Sequence, residues 1–407
     1  MAADDMNIHQ STDFSAAPSL VGYLFQCRYA LLESLNRLRN ERQFSVSIET
    51  IDDVVFATEG QPPDLLQTKH HLNAAANLTD ASPELWKTLR VWCEEIAQGQ
   101  IPEHAILFLV TTATASEGTA AYYLRGGERL RDVPTALERL TVTVQSSTNQ
   151  SLTDAFNAFK NLDAAQKLAF LSAVYVLDGV PNINDMDASL RKAVYFAAPQ
   201  KHLASYLQRL EGWWFQRSVK QLTDANRLPI LSEELADETA RIREQFKDDA
   251  LPIDDDIITA LVDESGYQDR VFVEQLKLIL IGNPRIAQAI RDYYRAFEHR
   301  SRWMREDLLL VGDLERYEDR LLEEWNIRFH QMRDDAGDAA TEDAKRAAAI
   351  ALYKWIETGA HARIRANVSE PSIARGTYQI LSDCGRVGWH HDFAERIKHL
   401  LEAEGAE

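Results

Sequence analysis

The sequence predicts an α/β domain over residues 19–145, with elements in the order helix, strand, strand, strand, helix, strand, followed by a predominantly α-helical region over 151–407. Short strand-like runs alternate with two amphipathic helices before residue 145. Polar QSSTNQ at 145–150 reads as a linker, and beyond it apolar residues recur every three or four positions.

The first 18 residues read as an N-terminal tail. A helix is expected over Leu20–Arg39, where Tyr23, Cys27, Leu31, Leu35 and Leu38 share helical spacing while Gln26 and Glu33 lie on other faces. Val46 to Lys69, VSIETIDDVVFATEGQPPDLLQTK, then places an Asp pair, a turn and a Gln-x-Lys on consecutive strands. Its ATEGQPPD carries Gly60, Pro62 and Pro63, the composition of a hairpin connection, so the flanking strands should be antiparallel neighbours. Ser82 and Pro83 start a second helix over Glu84–Ala97, and HAILFLVTT supplies a buried strand over Ala105–Thr112. Further on, helices are expected over Ala155–Val176, Ala188–Leu210, Trp213–Asn226, Ser232–Lys247, Phe272–Ile281, Pro284–Leu310, Leu314–Arg333 and Glu342–Thr358. The acidic DDALPIDDD at Asp248–Asp256 reads as a subdomain break.

Strand alternation sends residues i and i+2 to one face, so Gln67 and Lys69 project together. Either Asp52 or Asp53 can join them, but not both. Asp53 is taken as the partner, which leaves Asp52 nearer the other face. Hydrolysis of a phosphodiester needs a divalent cation, and hard oxygen ligands suit Mg²⁺, with Mn²⁺ as a substitute. Asp53 is the main metal-ligand candidate and the Gln67 amide oxygen the second. Lys69 is placed to steady developing negative charge or to orient the water. The same spacing also describes a solvated hairpin; the flanking elements argue for the site, because their order is that of the PD-(D/E)xK nuclease core.

GYLFQ (Gly22–Gln26), IETIDDV (Ile48–Val54) and QTKHH (Gln67–His71) resemble, in that order, the Cap-type effector nuclease domains of bacterial antiviral systems. The resemblance covers roughly the first 120 residues and implies double-stranded DNA cleavage at Asp53, Gln67 and Lys69. It also implies an upstream acid, Glu49, and a helix residue, Gln26, facing the same pocket, with Glu33 a further carboxylate. The block Trp355–Phe393, through RGTYQIL and GRVGWHHDF, resembles the C-terminal region of effector subunits in Lamassu, or ABC-three-component, defence systems. Such a resemblance implies an SMC-like ATPase and a small bridging subunit as partners of the helical region.

Composition sets bounds on these readings. No stretch reaches the ~18 apolar residues of a membrane span, and the N-terminus has no signal-peptide pattern, so a cytoplasmic protein without membrane contact is expected. Cys27, Cys93 and Cys384 are odd in number and widely spaced, which suits free thiols. The net charge of −19 is unfavourable for DNA, and residues 1–145 alone carry 11 basic against 19 acidic residues, a net of −8. An enzyme brought to DNA by partners, or one that self-associates through its nuclease domains so that two sites cut two strands, fits that charge. A non-catalytic scaffold with a decayed nuclease-like domain is the alternative; an RNA-directed nuclease or nickase is a third.

Other features have simpler readings. Arg285, Arg291, Arg295, Arg302 and Arg305 form a stripe that is either a phosphate or subunit contact or a solvated face neutralised by acids. The pairs His70-His71 and His390-His391 lack partners at zinc spacing, although His70 can reach DNA or metal from its strand end. Trp213-Trp214-Phe215 reads as core.

Overall fold

The computed structural model describes residues 17–40, 43–70, 76–127, 131–337, 340–360 and 362–398. Residues 1–16 of the expected tail and His71 lie outside these. The chain forms two compact units, the first running to Ala197 with Tyr206–Ala240 added, the second comprising Ala198–Ser205 and the residues from Arg241 on.

The first unit opens with helix α1 (Ala17–Arg37), then strands β1 (Ser45–Ile48), β2 (Val54–Ala57), β3 (Asp64–Lys69) and β4 (Asn77–Leu78), helix α2 (Pro83–Ala97), and strands β5 (Ile106–Thr111) and β6 (Thr114–Ala115). Helices α3 (Ala120–Tyr123), α4 (Val133–Ser146), α5 (Thr153–Lys160) and α6 (Ala164–Ala173) lead to strand β7 (Val174–Leu177). Helices α7 (Met186–Ala193) and α8 (Leu203–Thr223), strand β8 (Ile230–Leu231) and helix α9 (Ser232–Glu244) follow. The main sheet has the order β7-β5-β3-β2-β1-β8, and β4 pairs with β6 in a separate two-stranded sheet. Tight connections make β1, β2 and β3 antiparallel, whereas the α2 crossover makes β5 parallel to β3. Behind the sheet, Trp86 of α2 meets Phe156 and Phe159 of α5 edge-on at 4.7 and 5.7 Å. Those contacts join α2 and α5 to the apolar cluster that covers β5 and β7.

The first unit extends well past the linker expected at 145–150. Gln145 and Ser146 close α4, and the Asn149 side chain caps the next turn through Ser151 N at 3.0 Å. The chain then turns back onto the same core through Leu152, Phe156 and Phe159. Both edge strands of the sheet come from beyond the expected boundary. Val174-Tyr175-Val176, read as the end of a helix, has the β-branched and aromatic alternation of a strand; Val174 and Val176 are buried and pair with β5. The helix expected over Ala188–Leu210 is broken before Pro199. By contrast α8 runs uninterrupted through Gly212, where a break was expected.

The second unit holds helices α10 (Asp255–Ile258), α11 (Val271–Leu278), α12 (Asn283–Arg305), α13 (Asp313–Ala336), α14 (Glu342–Gly359), α15 (Pro371–Asp383) and α16 (Phe393–Arg396). Helices α12 and α15 approach closely at Gly376, where a Cβ would lie 1.9 Å from Asp292 O. Asp248–Asp256 belongs to this unit and its middle is buried: Trp303 Nε1 donates to Pro252 O at 2.8 Å and Asp254 N to His299 Nε2 at 3.0 Å. The arginine stripe of α12 is largely neutralised. Arg285 pairs with Glu357, Arg291 with Glu264 and Arg302 with Asp256, acids from other segments, while Arg295 lies 3.9 Å from Asp292 on α12 itself. His390 and His391 are buried, facing Glu342 and Asp392. Among the described residues no helix is long and apolar enough to cross a membrane.

Candidate active site

The β2–β3 ladder stops at Val54 opposite Leu66. Asp52 and Asp53 therefore sit in the bend between β1 and β2 and not on a strand, so alternation does not separate them. Asp53 replaces the missing ladder partner: its Oδ2 accepts from Thr68 N at 2.7 Å and Thr68 Oγ1 at 3.0 Å, and its Oδ1 accepts from Gln67 Nε2 at 3.2 Å. Gln67 Nε2 also donates to Asp52 Oδ1. On the other side of the amide, Lys69 Nζ donates to Gln67 Oε1 at 3.0 Å. Both aspartates thus meet Gln67, which corrects the expectation that only one could.

Glu49 enters through an unusual backbone. It holds φ +52°, and its carbonyl accepts from Arg227 at 2.8 Å. The β-region is the easy conformation for such a residue, so the Arg227 contact and the Glu49 N to Asp53 O bond of 3.0 Å hold the turn in its left-handed form. The Glu49 carboxyl feels both Asp53 and Lys69; burial first, then Asp53, raises its pKa, with the neighbouring Gln26 amide opposing. Gln26 is buried, and its Oε1 has no hydrogen-bond partner.

Two further candidates lie elsewhere. Glu33 pairs with Arg37 at 3.0 Å, and Arg37 holds Asp64 at the opposite end of β3 from Lys69. Seven residues beyond Gln26 on α1, Glu33 is about two turns, roughly 10 Å, along the axis. His70 Nε2 accepts from Ile183 N at 3.1 Å and its ring lies 4.8 Å from that of Phe25.

Several residues of the site were not legible in sequence. Trp92 reads as core on α2, yet its Nε1 donates to Asp52 Oδ2 at 2.9 Å. Arg227 and Gln221, whose Oε1 accepts from Ile48 N at 3.2 Å, come from a segment that the sequence assigned to another domain. Glu95 gave no signal beyond an exposed helical acid, but one of its oxygens is buried without a partner. Burial and then Asp52 push its pKa up to about 7. Asp52 itself is pushed up to about 6, chiefly by burial, with the Trp92 and Gln67 bonds opposing.

Because the folded Glu95 binds its proton more tightly than the unfolded chain does, its contribution to stability is full below the normal glutamate range and is lost as pH rises through about 7. Glu95→Gln is expected to raise the unfolding temperature at pH 8 and to leave it nearly unchanged at pH 5. Thermal melts at the two pH values check this, and equal shifts would place the Glu95 carboxyl in ordinary solvent.

Among the described residues no three His, Cys, Asp or Glu side chains form a ready metal cluster. The oxygen donors nevertheless suit a hard divalent cation: the Asp53 and Glu49 carboxylates, with the unpartnered Gln26 Oε1 beside them. Gln67 presents nitrogen to the carboxylates and gives its oxygen to Lys69, which leaves it a weaker ligand candidate than the sequence suggested.

Comparison with curated proteins finds no match. Among solved structures, the Acinetobacter baumannii Cap4 SAVED/CARF-domain containing receptor with the cyclic trinucleotide 3'3'3'-cAAA aligns with TM-score 0.33 and 10% identity, over 69% of this chain and 66% of that one. The same receptor without a named ligand aligns with TM-score 0.31 and 11% identity, over 69% and 68%. In the second unit, residues 272–397 match the family model of C-terminal domain 7 of the ABC-three component (ABC-3C) systems.

Proposed function

We propose that this chain is a Mg²⁺-dependent double-stranded DNA endonuclease with a PD-(D/E)xK-like first unit, acting as the effector of an ABC-three-component antiphage or antiplasmid defence complex of the Lamassu kind. The observation that carries the reading is the convergence of Asp53, Gln67 and Lys69 at one end of the sheet, with Lys69 Nζ fixed 3.0 Å from the Gln67 oxygen. The domain match over 272–397 supports the assembly half. Asp53 and Glu49, with Gln26, would hold the cation. When bound, a divalent cation offsets charge on the phosphoryl oxygens and makes a bound water nucleophilic. Lys69 would present its ammonium to the phosphate or to the attacking water from a partly buried position, where its charge acts more strongly than in bulk water. Arg227, exposed and held at Glu49 O, is a second cation at the mouth.

The acidic balance of the nuclease region gives a lone protomer little hold on DNA, and one site cuts one strand. In this reading an SMC-like ATPase and a small bridging subunit hold the chain inactive, and release allows nuclease domains to meet on a duplex. Light scattering and plasmid cleavage on the same samples test it. Cleavage should rise with self-association; a strictly monomeric preparation that linearises plasmid at full rate would overturn the regulatory part. A second reading, a scaffold without catalysis, is favoured by the Gln67 nitrogen facing the carboxylates. Absence of cleavage in every assembly state with Mg²⁺ or Mn²⁺ would select it.

A further inference from the structure

Asp52 is only 5% exposed, and both of its oxygens accept from fixed donors. Oδ2 accepts from the indole of Trp92, itself fully buried, at 2.9 Å. Oδ1 accepts from Gln67 Nε2 and, at 2.9 Å, from Asp53 N. An indole N–H can only donate, so the Trp92 end of this arrangement has one sense. The Gln67 amide has two orientations that exchange nitrogen and oxygen. With carboxylates on one side and the Lys69 ammonium on the other, the flipped amide would set oxygen against oxygen and NH₂ against ammonium. The orientation is therefore dictated by charge, and Asp52 is the most buried of the groups dictating it.

We propose that Asp52 is a positioning residue, which through the chain Trp92–Asp52–Gln67 fixes the amide that in turn holds Lys69, and that it is not a metal ligand. The proposal rests on the nuclease reading for its catalytic consequence, but the hydrogen-bond chain itself does not. Two measurements separate these. In the activated complex, Asp52→Asn and the milder Trp92→Phe should each lower the cleavage rate about 10-fold to 100-fold, with the Mg²⁺ concentration for half-maximal rate unchanged. A shift in that concentration for Asp52→Asn would make Asp52 a ligand and overturn the proposal. Independently, the unfolding midpoints of Asp52→Asn, Gln67→Leu and the double variant should show less than additive losses. Additive losses would show that the two side chains do not act together. If no form cleaves DNA, the nuclease reading falls while the midpoints still decide the chain.

Discussion

Lys69→Ala is expected to lower DNA cleavage by roughly 10²- to 10³-fold, the scale on which one preorganised electrostatic group acts at a charged transition state. The fold should hardly notice. Lys69 ends β3, is only partly buried, and through Nζ makes a hydrogen bond to Gln67 Oε1, a contact worth about 1.5 kcal/mol, the low end for a charged donor. A plasmid assay on the activated protein, beside a thermal melt of the same samples, separates the two effects. Undiminished cutting would remove Lys69 from the mechanism, and a large loss of stability would make it a structural residue.

The second large effect concerns the unit that carries the domain match. Gly376→Ala places a methyl group 1.9 Å from Asp292 O and 2.6 Å from Ala296 Cβ. Neither neighbour can turn away: one is backbone of α12, and the other is a Cβ bonded directly to that backbone. Relief requires α12 and α15 to move apart, which also pulls on the Arg375–Asp292 ion pair of 2.6 Å between them. A loss of about 3 kcal/mol is expected, the upper part of the range for overpacking. Chemical denaturation of the full chain, followed by tryptophan fluorescence, reads it; a midpoint like that of the parent would mean that the helices are not this close. Because the altered residue is remote from Lys69 in sequence and belongs to the other unit, loss of partner assembly with retained metal-dependent cleavage is the accompanying expectation.

How far the sequence revealed these features follows from the range of the interactions. Helices with strong apolar spacing were legible: α2 begins at Pro83, although the Ser82 side chain before it makes no capping bond, and α14 spans Glu342–Gly359 against an expected Glu342–Thr358. The β2–β3 hairpin was legible because Gly60, Pro62 and Pro63 act locally. Strands β7 and β8 were not, since four-residue and two-residue strands acquire their identity from β5 and β1, far away in sequence. At the site, Gln67 and Lys69 share a face because both lie on one regular strand. Asp52 defeated the same argument because the bend after Ile48 suspends alternation. Trp92 offered no polar signal at all: an indole on an apolar helix face reads as packing until its N–H is seen to find a carboxylate.

If Asp53 and Lys69 serve metal-dependent hydrolysis of DNA, as proposed, cleavage must depend on Asp53 through the cation. The most direct measurement is linearisation of supercoiled plasmid by the activated complex across a Mg²⁺ titration, comparing the parent with Asp53→Ala. Cleavage by the parent is expected to vanish with chelator, and Asp53→Ala to need at least about 10-fold more Mg²⁺ or to show no cleavage at any concentration. The same Mg²⁺ dependence and rate in both proteins would contradict it.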